Sequence, residues 1–165
     1  MEIERKWLFE NEKAPESIKI LGEYLYKQAY ISVDPEVRIR SRLKAGEENK
    51  TYALCIKSKG DLERIEVQKE LTEKEFHELM IVGHISEDKF ICKHFYRYKI
   101  GKYELTLGRV DSGKDTEFCY GEIEFESKEE AESFKAPEWF GKEVTEDKNF
   151  KMSNYWKRTR NIDNK

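Results

Sequence analysis

The chain has 165 residues, with 31 Lys and Arg against 34 Asp and Glu, and so lacks the basic excess that bulk electrostatic attraction to nucleic acid requires. Charged residues reach 39%, yet nine Tyr, nine Phe and three Trp spread along the length exclude a disordered chain and favour a single folded domain over residues 1–165. No apolar run approaches about 18 residues, so neither a spanning segment nor a signal peptide is predicted.

Residues 2–9 read as a strand and 12–22 as a loop or short helix around Pro15. A second strand is predicted over 24–32, and Asp34-Pro35 is a turn signal. Strands follow at 36–44, 51–59 and 62–71, separated by a loop at Gly46 and by Gly60-Asp61. Thr72-Glu73-Lys74-Glu75 is a capping box, which predicts a helix to Val82 that stops at Gly83. Strands at 90–100 and 102–110 flank Gly101 as a hairpin, and a polar loop at 111–117 precedes a strand at 118–126. Ser127-Lys128-Glu129-Glu130 opens a short helix to Phe134, broken by Pro137, Trp139 and Gly141. A last helix, starting between Thr145 and Asp147, carries Phe150, Tyr155 and Trp156.

Charge follows a period of two in several of these strands. Glu2, Glu4 and Lys6 alternate with Ile3 and Trp7, and Glu122, Glu124 and Glu126 alternate with Ile123 and Phe125. In a strand this spacing puts the carboxylates on one face. Between the acidic runs lie Arg38-Ile39-Arg40-Ser41-Arg42 and Lys57-Ser58-Lys59. Any one such strand is most simply a half-buried strand with a solvated face. The recurrence with sorted signs argues against that reading, because like charges directly across strands are destabilising. Antiparallel strands with charges inward and apolar residues outward would enclose a polar cavity, with acidic rungs for a divalent metal and basic rungs for a polyanion. Closure into a barrel with helices outside satisfies both parities.

Other candidates have plainer readings. His77 is expected on an exposed helix face, His84 in a loop, and His94 opposite in parity to Lys93; none has a zinc-site partner. Trp139 and Trp156 are expected to close the core. Tyr26, Tyr30 and Tyr103 are available to stack on a base, and nothing in the sequence requires it. The three cysteines, Cys55, Cys92 and Cys119, lack metal-ligand spacing, and a reduced, cytoplasmic protein is expected.

Glu2-Ile3-Glu4-Arg5-Lys6 resembles the ExExK signature of the CYTH domain, or triphosphate tunnel metalloenzyme, family. Further segments follow the family's order: Gln28-Ala29-Tyr30-Ile31-Ser32, Val37-Arg38-Ile39-Arg40, Cys55-Ile56-Lys57, Arg64-Ile65-Glu66, Ile91-Cys92-Lys93 and Gly121-Glu122-Ile123-Glu124. Trp139-Phe140-Gly141-Lys142-Glu143-Val144-Thr145 resembles its C-terminal segment. The resemblance implies an α+β fold: an eight-stranded antiparallel β-barrel, or tunnel, with a charged interior and helices packed outside. It implies metal-dependent hydrolysis of inorganic tripolyphosphate or a nucleoside triphosphate, with Mg²⁺ or Mn²⁺ as cofactor. The Asp34-Pro35 turn looks like the simple bacterial triphosphatases of the family.

On this reading Glu2, Glu4 and Glu124, then Glu122, hold metal. Lys6, Arg38, Arg40, Lys57, Arg64, Lys93 and Arg97 bind the phosphates, and Lys6, Arg38, Arg40 and Glu66 serve catalysis. The chain departs from the pattern at three places. Gln68 stands where a glutamate is usual, Phe95 where an arginine is usual, and Thr106 where an aspartate is common. Arg97 keeps the parity of Phe95 but lies roughly 7 Å further along the strand. Two alternatives remain open, a class IV adenylate cyclase-like activity and a non-catalytic polyphosphate- or nucleotide-binding protein. No nucleic-acid or membrane partner is expected, and a homodimer is compatible with the reading.

Overall fold

The structure is a computed structural model and describes residues 1–162. The strands are β1 (Glu2–Phe9), β2 (Ile20–Val33), β3 (Glu36–Lys44), β4 (Thr51–Lys57), β5 (Glu63–Arg64), β6 (Glu66–Leu71), β7 (Ile91–Ile100), β8 (Tyr103–Val110) and β9 (Phe118–Glu124). The helices are α1 (Glu73–Val82), α2 (Lys128–Ser133) and α3 (Met152–Thr159), with short 3-10 turns at Glu87–Lys89 and Lys148–Phe150. No helix among the described residues is long and apolar enough to cross a membrane.

All strand pairs are antiparallel, in the order β5-β1-β9-β8-β7-β2-β3-β4-β6. Nine strands occupy the eight segments expected, because the segment predicted over 62–71 divides at Ile65. Its second half pairs with β4, while its first half crosses to β1 through Glu2↔Arg64 and Ile3↔Glu63. One segment therefore joins both edges of the sheet and brings it almost to closure. Beyond that joint, the backbone of residues 142–145 continues along β1, with Val144 N donating to Lys6 O at 2.8 Å and Leu8 N to Lys142 O at 2.8 Å.

The alternation of charge and apolarity decides which face looks inward. Residues of one parity, such as Ile3, Trp7, Ala29, Ile39, Leu105 and Ile123, are buried against the outer elements. Trp7 packs on Phe134 and Phe140, with ring centroids 5.7 and 5.1 Å apart, under α2 and the segment after it. On the opposite wall Phe76 of α1 meets Tyr52 of β4 at 4.9 Å. The capping box forms in full: Thr72 Oγ1 accepts from Glu75 N, and the Glu75 carboxylate accepts from Thr72 N.

Most boundaries differ from expectation by two residues or fewer, such as β4 ending at Lys57 and β9 at Glu124, and two differ by more. β2 begins at Ile20, so 20–22 is strand, because Ile20 and Gly22 pair with Tyr98 and Arg97 of β7. The last helix starts at Met152, after the 3-10 turn that carries Phe150. Helix α3 is anchored by a buried cluster in which Arg160 Nη1 and Nη2 donate to Asp111 at 2.5 and 2.9 Å and the Tyr155 hydroxyl donates to it at 2.7 Å.

Candidate active site

The inward faces enclose a cavity of about 260 Å³. β1 supplies Glu2, Glu4 and Lys6; β3 supplies Glu36, Arg38 and Arg40; Lys57, Arg64, Glu66 and Gln68 come from β4, β5 and β6. Lys93 and Phe95 of β7, Thr106 of β8, and Tyr120, Glu122 and Glu124 of β9 complete the barrel wall. Phe150, Lys151 and Met152 line it as well, so the C-terminal segment forms part of the site.

The cations fall into two sets. Lys57 Nζ lies 2.7 Å from Glu2 and 3.0 Å from Glu66. Arg64 reaches Glu4 at 2.7 Å, Glu2 at 3.2 Å and Glu36 at 3.5 Å, and Lys6 lies 2.8 Å from Glu122. Arg38, Arg40 and Lys93 make no such ion pair among the described residues. Arg38 Nε is buried without a hydrogen-bond partner. Arg40 lies over the Tyr26 ring at 5.0 Å and reaches Gln68 Oε1 at 3.4 Å, and Lys93 donates to the Tyr120 hydroxyl at 2.6 Å. These three form a positive wall whose carboxylate neighbours, Glu122, Glu66 and Glu2, act on it without a direct ion pair among the described residues.

Proton affinities divide the unpaired cations: burial opposes the charge on Arg38, but Tyr30, Cys55, Glu66 and Glu2 prevail and raise it. Burial, then the charge of Arg38, lowers Arg40, and burial holds Lys93 well below the usual lysine range. Burial and Arg38 oppose the charge on Lys57, but Glu4 and Glu2 prevail and raise it. Burial, reinforced by the Glu4 charge, pushes the Glu2 carboxyl up to about 8. Burial also works against charge on Glu66, yet the hydrogen bond from Glu2 and the Lys57 ammonium hold it down at about 2. Glu2 and Glu66 are thus driven in opposite directions beside the Lys57 ammonium that contacts both. Glu122 is held near 2 because Lys6 and Lys93 outweigh its burial. Glu124 is raised by burial and by Glu4 and Glu122.

Glu2, Glu4 and Glu124 each offer a carboxylate oxygen, and these oxygens lie within 4.8 Å of one another. The donor set is all oxygen, and Glu2 and Glu124, raised first by burial and then by the Glu4 charge, crowd against a third carboxylate. Both properties fit a hard divalent cation. Glu122 lies outside this group and pairs with Lys6 instead. Arg97 lines a neighbouring cavity with Arg42 and Lys102, ion-paired to Glu104 and 3.5 Å from the Tyr24 hydroxyl. That cavity shares Tyr26, Thr106, Glu122 and Glu124 with the central one, so Arg97 stands at an outer continuation of the tunnel.

Gln68, Phe95 and Thr106, the three departures from the family pattern, all face the central cavity. Phe95 packs its ring against Tyr26 and Tyr120 at 5.4 and 5.6 Å. This is possible because Gly108 opposite has no side chain; a Cβ there would come within 2.1 Å of the ring. Tyr26 and Tyr30, available for stacking on sequence grounds, line the cavity, as do Gln28, Glu36, Tyr120 and Lys151, which the sequence reading does not assign to the site. Gln28 and Tyr30 share the parity of Tyr26, and Tyr120 that of Glu122, so period two identifies them; Lys151 lies outside any strand and has no such signal. The histidines are peripheral: His94 lies 2.6 Å from Glu23, and His77 is exposed with Nδ1 2.9 Å from Glu73 O. Trp156 is buried and donates to Lys89 O, while Trp139 packs on Phe9 and Phe140.

No family model matches the chain. An inorganic triphosphatase of Nitrosomonas europaea is 31% identical over 150 residues, covering 91% of this chain and 93% of the relative. This protein belongs to the triphosphate tunnel metalloenzyme, or CYTH, family. A crystal structure of an inorganic triphosphatase in that family superposes with a TM-score of 0.58 at 25% identity, over 94% of this chain and 93% of the other. A protein from Pyrococcus horikoshii shares the fold with a TM-score of 0.60 at 21% identity, over 80% and 81% of the two chains. Family membership agrees with the charged bore, in which residues from both ends of the polypeptide meet cations from its middle.

Proposed function

We propose that this protein hydrolyses a phosphoanhydride bond of inorganic tripolyphosphate within the barrel cavity, with the help of Mg²⁺ or Mn²⁺. The observation that carries this reading is the separation of Arg38, Arg40 and Lys93, which make no direct ion pair among the described residues, from the clustered carboxylates of Glu2, Glu4 and Glu124. A polyanion complements the first set and a divalent cation the second. At about 260 Å³ the cavity is smaller than the roughly 300–1,000 Å³ of pockets that enclose drug-sized ligands, which favours a compact inorganic substrate over a whole nucleotide.

Phosphoryl transfer depends on positioning and on neutralising the phosphate oxygens. Arg38 and Arg40 offer planar forks for paired oxygens, and Lys93 adds a point charge beside them. Lys6, Lys57 and Arg64 are held by their carboxylate partners along the rest of the bore. Glu2, Glu4 and Glu124 would hold the cation, which neutralises phosphate oxygens and orients and acidifies the attacking water. Glu66 remains ionised beside Lys57 and keeps that ammonium in register. We place the activity in the cytoplasm, a setting compatible with the free thiols of Cys55, Cys92 and Cys119.

The test is phosphate release from tripolyphosphate, ATP, GTP and thiamine triphosphate with each metal. Tripolyphosphate should be cleaved to pyrophosphate and phosphate, and chelation should stop the reaction. A cyclic nucleotide with pyrophosphate from ATP would mean a cyclase, and tight binding without turnover a binding protein.

A further inference from the structure

Tyr120 of β9 is only 1% exposed, yet its side chain belongs to the cavity wall. Its hydroxyl accepts from Lys93 Nζ at 2.6 Å, and among the described residues no hydrogen bond uses the hydroxyl's own proton. A buried phenol normally has an acceptor. The carboxylate two residues away, Glu122, is engaged by Lys6 at 2.8 Å. The same cavity contains a second unsatisfied donor, the buried Nε of Arg38.

The Tyr120 ring is also in contact with both neighbouring ammonium groups. Lys6 Nζ lies 4.9 Å and Lys93 Nζ 5.2 Å from its centroid. Phe95 meets the ring edge to face at 5.6 Å and Phe118 stacks at 5.7 Å, which fixes its orientation. The two ammonium groups therefore meet the phenol differently, Lys6 through the ring and Lys93 through the hydroxyl.

We propose that Tyr120 is a substrate-binding residue whose hydroxyl donates to a non-bridging phosphate oxygen of tripolyphosphate, beside the ammonium of Lys93 that it positions. This inference rests on the hydrolase reading above for the identity of the ligand. Lys93 uses one of its three protons on the phenol, and the remaining two, with the phenolic proton, form a small donor array for one phosphate group.

Tyr120→Phe keeps the ring, its packing and the Lys6 contact, and removes the hydroxyl together with the Lys93 hydrogen bond. In the full chain with Mg²⁺ or Mn²⁺, kcat/KM for tripolyphosphate should fall about ten- to a hundred-fold, as expected for losing a hydrogen bond to a charged group. KM should carry most of the change, and the thermal midpoint without ligand should fall by only a few degrees, reflecting the lost Lys93 hydrogen bond. The rise in thermal midpoint caused by tripolyphosphate should shrink in parallel. Wild-type kinetics and an unchanged ligand shift in the variant would overturn the inference, as would a lower kcat at constant KM, which signals a structural role. If the native chain binds tripolyphosphate without cleaving it, the hydrolase reading fails, and the ligand-induced shift alone decides the role of Tyr120. No shift with the native chain would overturn both.

Discussion

Glu4 and Glu124 stand directly opposite one another in the β1–β9 ladder, so two carboxylates from the two ends of the polypeptide share one rung of the bore. Like charges across an antiparallel pair are destabilising, and Glu124 is accordingly pushed above the ordinary carboxylate range by burial and by Glu4. Glu124→Gln should therefore leave the metal-free protein as stable as the native one or slightly more so, and should remove most of its response to metal. At a hundred-fold excess of metal over Kd, the native chain gains about 2.7 kcal/mol. That is roughly 5–10 °C in thermal midpoint for a domain of this size. Differential scanning fluorimetry with and without Mn²⁺ checks it; an equal rise in the variant would remove Glu124 from the metal site.

Arg38 and Lys57 should separate binding from stability. Arg38 makes no ion pair among the described residues, so Arg38→Ala takes no carboxylate's direct partner away and should leave folding nearly intact. Turnover of tripolyphosphate should fall about 10²–10³-fold, the usual cost of one transition-state donor. Lys57→Ala leaves Glu66 without its ion-pair partner and Glu2 with Arg64 alone, and should cost about 3 kcal/mol of stability. Urea unfolding alongside phosphate-release kinetics distinguishes the two; a strongly destabilised Arg38 variant would contradict the account.

Arg97 is bound to Glu104 away from the central cavity. Arg97→Ala should change kcat/KM for tripolyphosphate by less than about three-fold, in keeping with the small worth of exposed ion pairs. A loss as large as that from Arg38→Ala would mean that the substrate reaches the outer cavity.

Asp111 gives stability a pH dependence. Burial opposes its charge, but the hydrogen bonds from Arg160 and Tyr155 outweigh that and hold it below the ordinary aspartate range. A depressed acid stabilises fully above its unfolded value near 3.9, and that contribution is lost as pH falls through the folded value. Asp111→Asn retains a residue that tolerates the left-handed backbone here (φ 50°) and should cost about 3–5 kcal/mol at pH 7. Urea midpoints of the two proteins should converge as pH drops below about 4; a constant difference would exclude the ion pair as its source.

Much of this arrangement is legible from period two alone. Glu2, Glu4, Lys6, Arg38, Arg40, Glu122 and Glu124 have the inward parity the alternation demands, and the Thr72 capping box locates α1. The break at Ile65 is silent because Arg64, Glu66 and Gln68 keep one inward face while the segment changes partner. The early start of β2 depends on pairing with residues 97 and 98, far along the chain. Arg97 illustrates the limit of parity: a residue can point inward and still be carried along a tilted strand beyond the central cavity. Which cation pairs with which carboxylate depends on register across strands, and no single strand contains that information.

The joint between β5 and β1 spans only two residue pairs, and one of them, Glu2↔Arg64, is itself part of the polar lining. The seam of the barrel is thus fastened with side chains that also face the ligand. Altering either residue loosens the architecture and the chemistry together, so variation in substrate preference is easier to achieve on β7 and β8, where Phe95 and Thr106 already differ, than at the seam.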